Sequence, residues 1–249
     1  MKAELAVQNP NSVTLANALA RAGHGLTLAE KRLVMLAVSK LDPRKPLTRE
    51  ESLALTTKIT ASEYADAFGV ERHTAYPAMK DAADNLLKRI VTFYAAPYRR
   101  NGKTLKQTIT KMHWVGAAKY HQGEGWVELH WWHMVVPYLT GLRKQFTTYQ
   151  LEQASALRSV YSWRLLELLM RFKSTGWADY PIEDFCVSME ATEKQRSDFA
   201  AIRRKIIEPA IKELQEKDGW LIRWEAIKAG RKVSRLVFHF ERNPQTSLF

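Results

Sequence analysis

The stretch KQRSDFAAIRRKIIEPAIKELQEKDGWLIRWEAIKAGRKVSRLVFHF, residues 194–240, contains the pattern that decides the fold. Its first half repeats apolar residues at helical spacing, and the three adjacent cations Arg203, Arg204 and Lys205 cannot all point to the buried side of such a helix. Its second half predicts two strands around a basic turn at 229–232. A basic helix followed by a hairpin with a cationic tip is the outline of a winged helix.

The composition of the whole chain agrees with a polyanionic partner. The 249 residues have a formal net charge of +12 and are 46% hydrophobic, which permits a packed core. A charge excess of this size favours nucleic acid first and an acidic membrane surface second, while simple solubility is the plain alternative. The single cysteine, Cys186, fits a reducing cytosol, and no stretch is long and apolar enough for a signal peptide or a transmembrane helix. We therefore expect a cytoplasmic protein without a membrane partner.

The same order of elements occurs a second time, earlier in the chain. Residues 60–69 predict a short helix capped by Thr60 or Ser62, and residues 71–89 predict a longer helix with Thr74 as its cap. Strands are expected at 90–95, 107–114 and 126–132. Asn101-Gly102 is a hairpin signal between the first two, and a Gly-rich turn at 121–125 lies between the last two. Helix-turn-helix plus hairpin is again a winged helix.

The remaining segments predict the helices and connections that precede and join these two units. Thr27 and Glu30 form a capping-box pattern before a helix at 28–41, and residues 13–22 look helical. Residues 43–57 predict a polar connection and 134–142 a short helix. The longest periodic helix is predicted at 151–172, where apolar residues recur at three and four.

The predicted fold class is α+β, with two tandem winged-helix domains, each a helical bundle with a β-hairpin wing, joined by a long helix. We assign residues 1–12 to a flexible arm and 13–143 to a first domain for dimerisation and auxiliary DNA contact. Residues 144–249 form the second domain, which we expect to be the main sequence-specific reader.

Candidate DNA-binding residues follow from charge and position. Arginines on the front half of a helix in the major groove can bind guanine O6 and N7 with two hydrogen bonds, and a basic wing tip suits phosphate contact. In the second domain the candidates are Lys194, Arg196, Ser197, Arg203, Arg204, Lys205, Lys228, Arg231 and Lys232. In the first domain they are Arg72, Thr74, Lys80, Arg99, Arg100 and Lys103. The alternatives are a solvated charged face for the second domain and self-association through strands for the first.

Enzymatic patterns are weak in this chain. Gly102-Lys103-Thr104 resembles the end of a phosphate-binding loop, but Pro97 stands where that loop needs its first glycine. His130 and His133 have metal-ligand spacing, but no carboxylate or cysteine cluster completes a site. We therefore predict no enzyme activity, no catalytic residue, no metal and no cofactor.

Four segments resemble one known family, the replication initiators of iteron-containing plasmids that include the F-plasmid type. They are LTLAEKRLVMLAVSKL at 26–41, LTGLRKQFTTYQLEQASALRSVYSWRLLELLMRF at 139–172, DFAAIRRKIIEPAIKEL at 198–214 and KAGRKVSRLVFHFER at 228–242. The block around YSWRLLELL is the most distinctive, and together the segments span most of the chain.

The resemblance implies a function and partners beyond what the residues show by themselves. It implies monomers that bind directly repeated origin iterons and dimers that bind an inverted repeat and repress the initiator's own promoter. The adjacent basic residues Arg203, Arg204 and Lys205 match the family's major-groove reading run. It also implies a host replication initiator, a helicase and chaperones as partners. The alternatives are a plain dimeric transcriptional repressor and an initiator that nicks DNA through a tyrosine.

Overall fold

The structure, a computed structural model, describes residues 11–95, 108–121 and 123–243, together with the backbone of 99–100 and 103–104. In the first part of the chain the elements are β1 (Ser12–Ala16), α1 (Asn17–Arg21), α2 (Leu28–Ser39), α3 (Arg49–Leu53), β2 (Thr56–Thr60), α4 (Ala61–Phe68), α5 (Arg72–Leu86), β3 (Ile90–Tyr94), β4 (Arg99–Arg100), β5 (Lys103–Thr104), β6 (Ile109–His113), β7 (Val115–Tyr120), β8 (Trp126–Trp131), a 3₁₀ turn (Val136–Tyr138), β9 (Phe146–Gln150), α6 (Leu151–Ser155) and α7 (Val160–Met170). In the second part they are β10 (Trp177–Pro181), α8 (Ile182–Ser188), α9 (Glu193–Arg196), α10 (Phe199–Ile202), a π-helical turn (Arg203–Ile207), α11 (Glu208–Asp218), β11 (Trp220–Ala229) and β12 (Lys232–Arg242).

Two three-stranded antiparallel sheets repeat one topology. The first has the order β2-β8-β7 and the second the order β10-β12-β11, so in both the last strand lies between the other two. Along the chain, the first strand of each sheet is followed by a helical segment and then by the hairpin that supplies the other two strands. The helix α2 precedes the first set and packs on α5, and α7 precedes the second set and packs on α11. The expectation of two tandem winged helices is confirmed.

The short local signals of the sequence are found where they were expected. Thr27 and Glu30 form a capping box at the start of α2. Thr60, and not Ser62, caps α4, again in a capping box with Glu63. Gly69 ends α4 with a φ of 60°, a conformation that glycine adopts without steric cost.

Several expected elements differ from those in the structure, in one case because the partner strand is distant in sequence. The helix expected at 13–22 is β1 followed by α1, since β1 pairs with β9 more than a hundred residues later. The connection expected at 43–57 contains α3 and the start of β2, and the helix expected at 134–142 is a single 3₁₀ turn. Strands β7 and β10 were not predicted. The predicted arm, 1–12, lies mostly outside the described residues, and Ser12 already belongs to β1.

The long helix expected at 151–172 is two helices, α6 and α7, and this part of the fold prediction is wrong. The Ser159 hydroxyl accepts a hydrogen bond from the Tyr161 amide at 3.2 Å and so caps a new helix. Leu157, in the break, is buried. The domain boundary at 143 and 144 stays a prediction, because β9 pairs with β1 while α7 packs on both α1 and α11.

The interior of the protein contains a cluster of charges between α2 and α7. Lys31 and Glu167 are both 0% exposed, and the Lys31 Nζ lies 2.8 and 2.9 Å from the two Glu167 oxygens. Arg164 reaches the same carboxylate at 3.2 Å, and the Tyr149 hydroxyl donates to it at 3.0 Å. His24 completes the set, which we call the buried ion cluster. It joins the corresponding helices of the two winged-helix units.

The protonation states in this cluster follow from burial and neighbouring charge. Burial and the adjacent Arg164 and Lys31 hold the pKa of His24 well below its usual value, so the ring is neutral at pH 7. Its Nε2 lies 2.8 Å from the Leu19 carbonyl, and its Nδ1 lies 3.1 Å from the Arg164 Nη1. Burial lowers the pKa of Lys31 to about 8, although Glu167 opposes the shift. At pH 7 the cluster therefore contains two cations and one carboxylate.

This imbalance predicts which substitution the fold tolerates. Glu167→Gln leaves Lys31 and Arg164 buried without an anion, and we expect it to lower the free energy of unfolding by about 3–5 kcal/mol. Lys31→Met, the control, leaves the balanced pair Arg164–Glu167, so its cost is smaller. Urea unfolding followed by circular dichroism measures both. Equal losses in the two variants would contradict this charge assignment.

Candidate nucleic-acid interface

The basic helix expected from residue 194 onward is divided into four segments. Its centre, Arg203–Ile207, is a π-helical turn in which the Glu208 amide donates to the Arg203 carbonyl, five residues back. The following residue, Pro209, has no amide hydrogen to donate to the Lys205 carbonyl four residues earlier, and its ring would collide with that carbonyl in a regular α-helix. The turn therefore widens at the three adjacent cations. Pro209 is the sequence signal that could have indicated the widened turn.

The widened turn separates apolar from charged side chains. Ile202, Ile206 and Ile207 are at most 1% exposed and fix the helix to the domain. Arg203, Arg204 and Lys205 are all exposed. The apolar residues therefore aim the cations outward, as the sequence predicted.

The three cations differ in how available they are. The Arg203 Nε lies 2.6 Å from a Glu208 oxygen, and its guanidinium lies 5.9 Å from the centre of the Trp224 ring. Arg204 and Lys205 have no ion pair within the described part of the chain. A partner anion meets Arg204 directly, whereas Arg203 first has to leave Glu208.

Lys194, Arg196 and Ser197 do not lie on the same helix as the three cations. Lys194 and Arg196 belong to α9, and Ser197 ends it; all three are exposed. The Arg196 Nε donates to the Ala191 carbonyl at 2.8 Å. Asp198 then caps α10 by accepting a hydrogen bond from the Ala200 amide at 2.9 Å. The helix that carries the three cations therefore begins at Phe199, and we call it the recognition helix. These residues flank the N-terminal end of the recognition helix.

The wing is formed by β11 and β12, as expected. Ala229 pairs with Lys232, so the loop is the two residues Gly230 and Arg231. Gly230 has a φ of 64°, which suits glycine at the first position of such a loop. Lys228, Arg231 and Lys232 are exposed around this tip. The tip and the recognition helix thus both present exposed cations.

The first domain presents a weaker version of this arrangement. Arg72 is exposed and 4.0 Å from Asp66, and Lys80 is half-buried with its Nζ 5.2 Å from the Tyr120 ring centre. Thr74 is not the cap of α5: the helix begins at Arg72 after Glu71, and the Thr74 hydroxyl donates to the Glu71 carbonyl at 2.8 Å.

The hairpin with the Asn-Gly signal is not the wing of the first sheet. Strands β3 and β6 pair with each other, and β4 pairs with β5, outside the sheet β2-β8-β7. The wing that corresponds to β11–β12 is β7–β8. The side chains of the candidates Arg99, Arg100 and Lys103 lie outside the described residues.

Sequence reasoning missed the residues that accompany the first wing. The Tyr76 hydroxyl, on α5, donates to the His121 carbonyl at the wing tip at 3.0 Å. The Lys58 Nζ lies 4.1 Å from the Trp126 ring centre, and Lys119 is exposed on β7. Their signal is the Gly-rich turn at 121–125, since β7 and β8 on either side of it pair as the first wing.

The structure shows the surroundings of His130 and Cys186. His130 pairs with Glu128 at 3.1 Å, and the described residues contain no group of three metal-binding side chains. Cys186 is buried, and this burial raises the pKa of its thiol to about 11. Among the described helices, none has the length and apolarity to cross a membrane.

Two copies of strand, helix pair and hairpin define a tandem winged-helix protein, and in the second copy exposed cations lie on the second helix and at the hairpin tip. In helix-turn-helix proteins the second helix enters a DNA groove. Models of the protein family agree with this class: one described as "Initiator Replication protein, WH1" matches residues 12–170, and one described as "Initiator Rep protein, WH2" matches residues 181–240. The chain belongs to the initiator replication protein family.

Individual relatives extend over most of the chain. A replication initiation protein of Escherichia coli is 28% identical over 238 residues, which are 94% of this chain and 70% of that protein. The PI protein of Escherichia coli is 23% identical, over 86% of this chain and 77% of its own length. A crystal structure of the Pi initiator protein in complex with iteron DNA matches with a TM-score of 0.75 and 21% identity, over 96% of this chain and 100% of that one. This likeness supports the tandem fold.

The difference between the two arginines predicts the effect of removing each. Arg204→Ala is expected to reduce specific affinity by about 1–3 kcal/mol, as for the loss of a bidentate guanine contact. Arg203→Ala costs less, because Arg203 gives up its pair with Glu208 to bind. Lys217→Ala, which removes an equal charge at the end of α11, serves as the control.

The measurement is a titration of a duplex that the wild-type chain selects from a random library. An Arg204→Ala protein that keeps its circular dichroism spectrum and binds like the Lys217→Ala control contradicts the assignment of the recognition helix.

Proposed function

We propose that this protein is a non-enzymatic plasmid replication initiator that binds directly repeated origin sites as a monomer and represses its own promoter as a dimer. The observation that carries the proposal is the presence, in one chain, of two winged helices joined through a buried ion cluster. Two reading helices in one monomer suit a site read in two successive major grooves about one helical turn apart. The Pi initiator, bound to iteron DNA in its crystal structure, has the same tandem fold.

The charge distribution supports a division of labour between the domains. Arg204 and Lys205 are exposed and without ion pairs in the described structure, so they can bind bases or phosphates at the recognition helix. Lys228, Arg231 and Lys232 are placed for phosphate contact at the wing. The first domain has fewer such cations on α5, so it adds auxiliary contacts. Tight binding at repeated sites then strains the neighbouring AT-rich duplex, which host factors open.

The dimer is proposed to form through the first domain. Strand β6 pairs with β3 on one side, and the structure describes no partner strand on its other side. Ile109, on this strand, is 53% exposed, and a free strand edge with an exposed apolar residue can pair with a second copy of itself. A chain that sediments as a monomer at every concentration removes the repression part of the proposal.

The proposal predicts replication, which a plain repressor does not support. A plasmid that carries this gene with its flanking DNA, and no other origin for the host, is expected to be maintained with the wild-type gene and lost with Arg204→Ala. Lys217→Ala, the matched control, keeps the plasmid. Colony counts after transformation and plasmid yield measure the outcome.

Two results contradict the proposal in different ways. Binding to the flanking DNA without plasmid maintenance favours the repressor alternative. A nicked product with protein attached, after incubation with supercoiled origin DNA and Mg²⁺, favours the tyrosine-dependent nicking alternative.

A further inference from the structure

We infer that Arg164 is a positioning residue that fixes the spacing between the two half-sites that one chain reads. The inference rests on the proposed function, since it concerns how a two-part DNA site is measured. Its basis is a set of hydrogen bonds from one buried side chain to the backbone of both winged-helix units. No contact of Arg164 with DNA is involved.

The Arg164 guanidinium binds a main-chain carbonyl on each side of the domain interface. Its Nη2 donates to the Ala22 carbonyl at 2.6 Å, after α1 of the first unit. Its Nε donates at 2.9 Å to the carbonyl of Ser188, the last residue of α8 in the second unit, and Nη2 donates there as well. The side chain is 1% exposed. Because the guanidinium is a rigid planar fork, these bonds are made together only at one relative position of the two carbonyls.

Arg164 is connected through packed helices to α5 and α11, the second helix of each winged-helix unit. Helix α5 packs on α2, and α11 packs on α7. Helices α2 and α7 are joined by Lys31 and Glu167, and Arg164 binds the same carboxylate. The two recognition elements are thus connected through packed helices that meet at the buried ion cluster.

Two further contacts cross the same interface close by. The Gly25 amide donates to a Glu190 oxygen at 2.8 Å, and Arg21 lies 3.5 Å from Asp184. The Arg21–Asp184 pair is about half exposed, so it adds little on its own. Arg164 is the member of this interface that is fully buried and bonded to both sides.

An interface held by buried hydrogen bonds allows less relative movement of the two units than an apolar interface does. Apolar surfaces can slide over each other at small cost, whereas buried hydrogen bonds lose their energy when donor and acceptor move apart. Displacing α8 relative to α1 leaves at least one carbonyl without its donor. The bonds from Arg164 to the Ala22 and Ser188 carbonyls therefore restrict the angle and distance between the two units, and with them the DNA spacing.

The rival explanation is that Arg164 only stabilises the fold, and Lys31 provides the control for it. Arg164→Met and Lys31→Met each remove one cation from the same cluster, and each leaves one cation to balance Glu167. Only Arg164→Met removes the bonds to Ala22 and Ser188. A difference between the two variants in DNA spacing therefore reports on positioning.

The experiment selects duplexes from a random-sequence library with the full-length wild type, Arg164→Met and Lys31→Met. We expect the wild type and Lys31→Met to select two half-site motifs at one fixed spacing. Arg164→Met is expected to select the same two motifs with spacings spread over one to two additional or missing base pairs. If Arg164→Met does not fold by circular dichroism, Arg164→Lys replaces it, since a single ammonium group cannot reproduce the fork of bonds.

A titration with the selected duplex makes the result quantitative. Two inserted base pairs rotate one half-site by roughly 70° and move it by about 7 Å. They are expected to weaken wild-type binding about tenfold or more, and Arg164→Met binding no more than about threefold. A single unchanged spacing for the arginine variants, or an equal broadening with Lys31→Met, overturns the inference. A wild type that selects no motif at all instead overturns the proposed function.

Discussion

The structure depends on one buried carboxylate. Glu167 accepts hydrogen bonds from Lys31 of α2, from Arg164 of its own helix and from Tyr149 of β9, all of them buried. Charges without water are costly unless they are paired and bonded, so each partner restricts the others. The two winged-helix units therefore meet through directional hydrogen bonds. These bonds fix the position of one unit relative to the other, as a flexible linker would not.

The cationic side of the second domain follows from a similar local constraint. Pro209 denies the helix one backbone hydrogen bond, and the resulting π-helical turn holds Arg203, Arg204 and Lys205 on the solvent side while Ile206 and Ile207 remain buried. Glu208 then pairs with Arg203 and leaves Arg204 available. Wide turns of this kind are often found at functional sites. The π-helical turn and the Arg203–Glu208 ion pair thus make Arg203 and Arg204 differ in availability, although the two residues are adjacent and alike in sequence.

Local signals predicted much of this fold, and long-range contacts decided what they missed. The capping boxes at Thr27 and Thr60 and the turn around Gly230 each depend on residues within a few positions, and each was found as expected. Strand β1 depends on pairing with β9, more than a hundred residues later, and it was not predicted. In the first wing, β8 and the turn before it were predicted from local residues, whereas β7 was not. Arg164 and Glu167 look like the solvent side of an amphipathic helix. They are buried because α7 packs against other elements on both of its faces. The spacing of apolar residues within the helix does not show this.

Reading of two successive major grooves by one rigid chain can be tested by methylation interference at guanine N7, a major-groove atom, on a duplex selected by the protein. We expect two clusters of interfering guanines on one face of the duplex, about 10 base pairs apart. A single cluster, with the rest of the site insensitive to methylation, would contradict it.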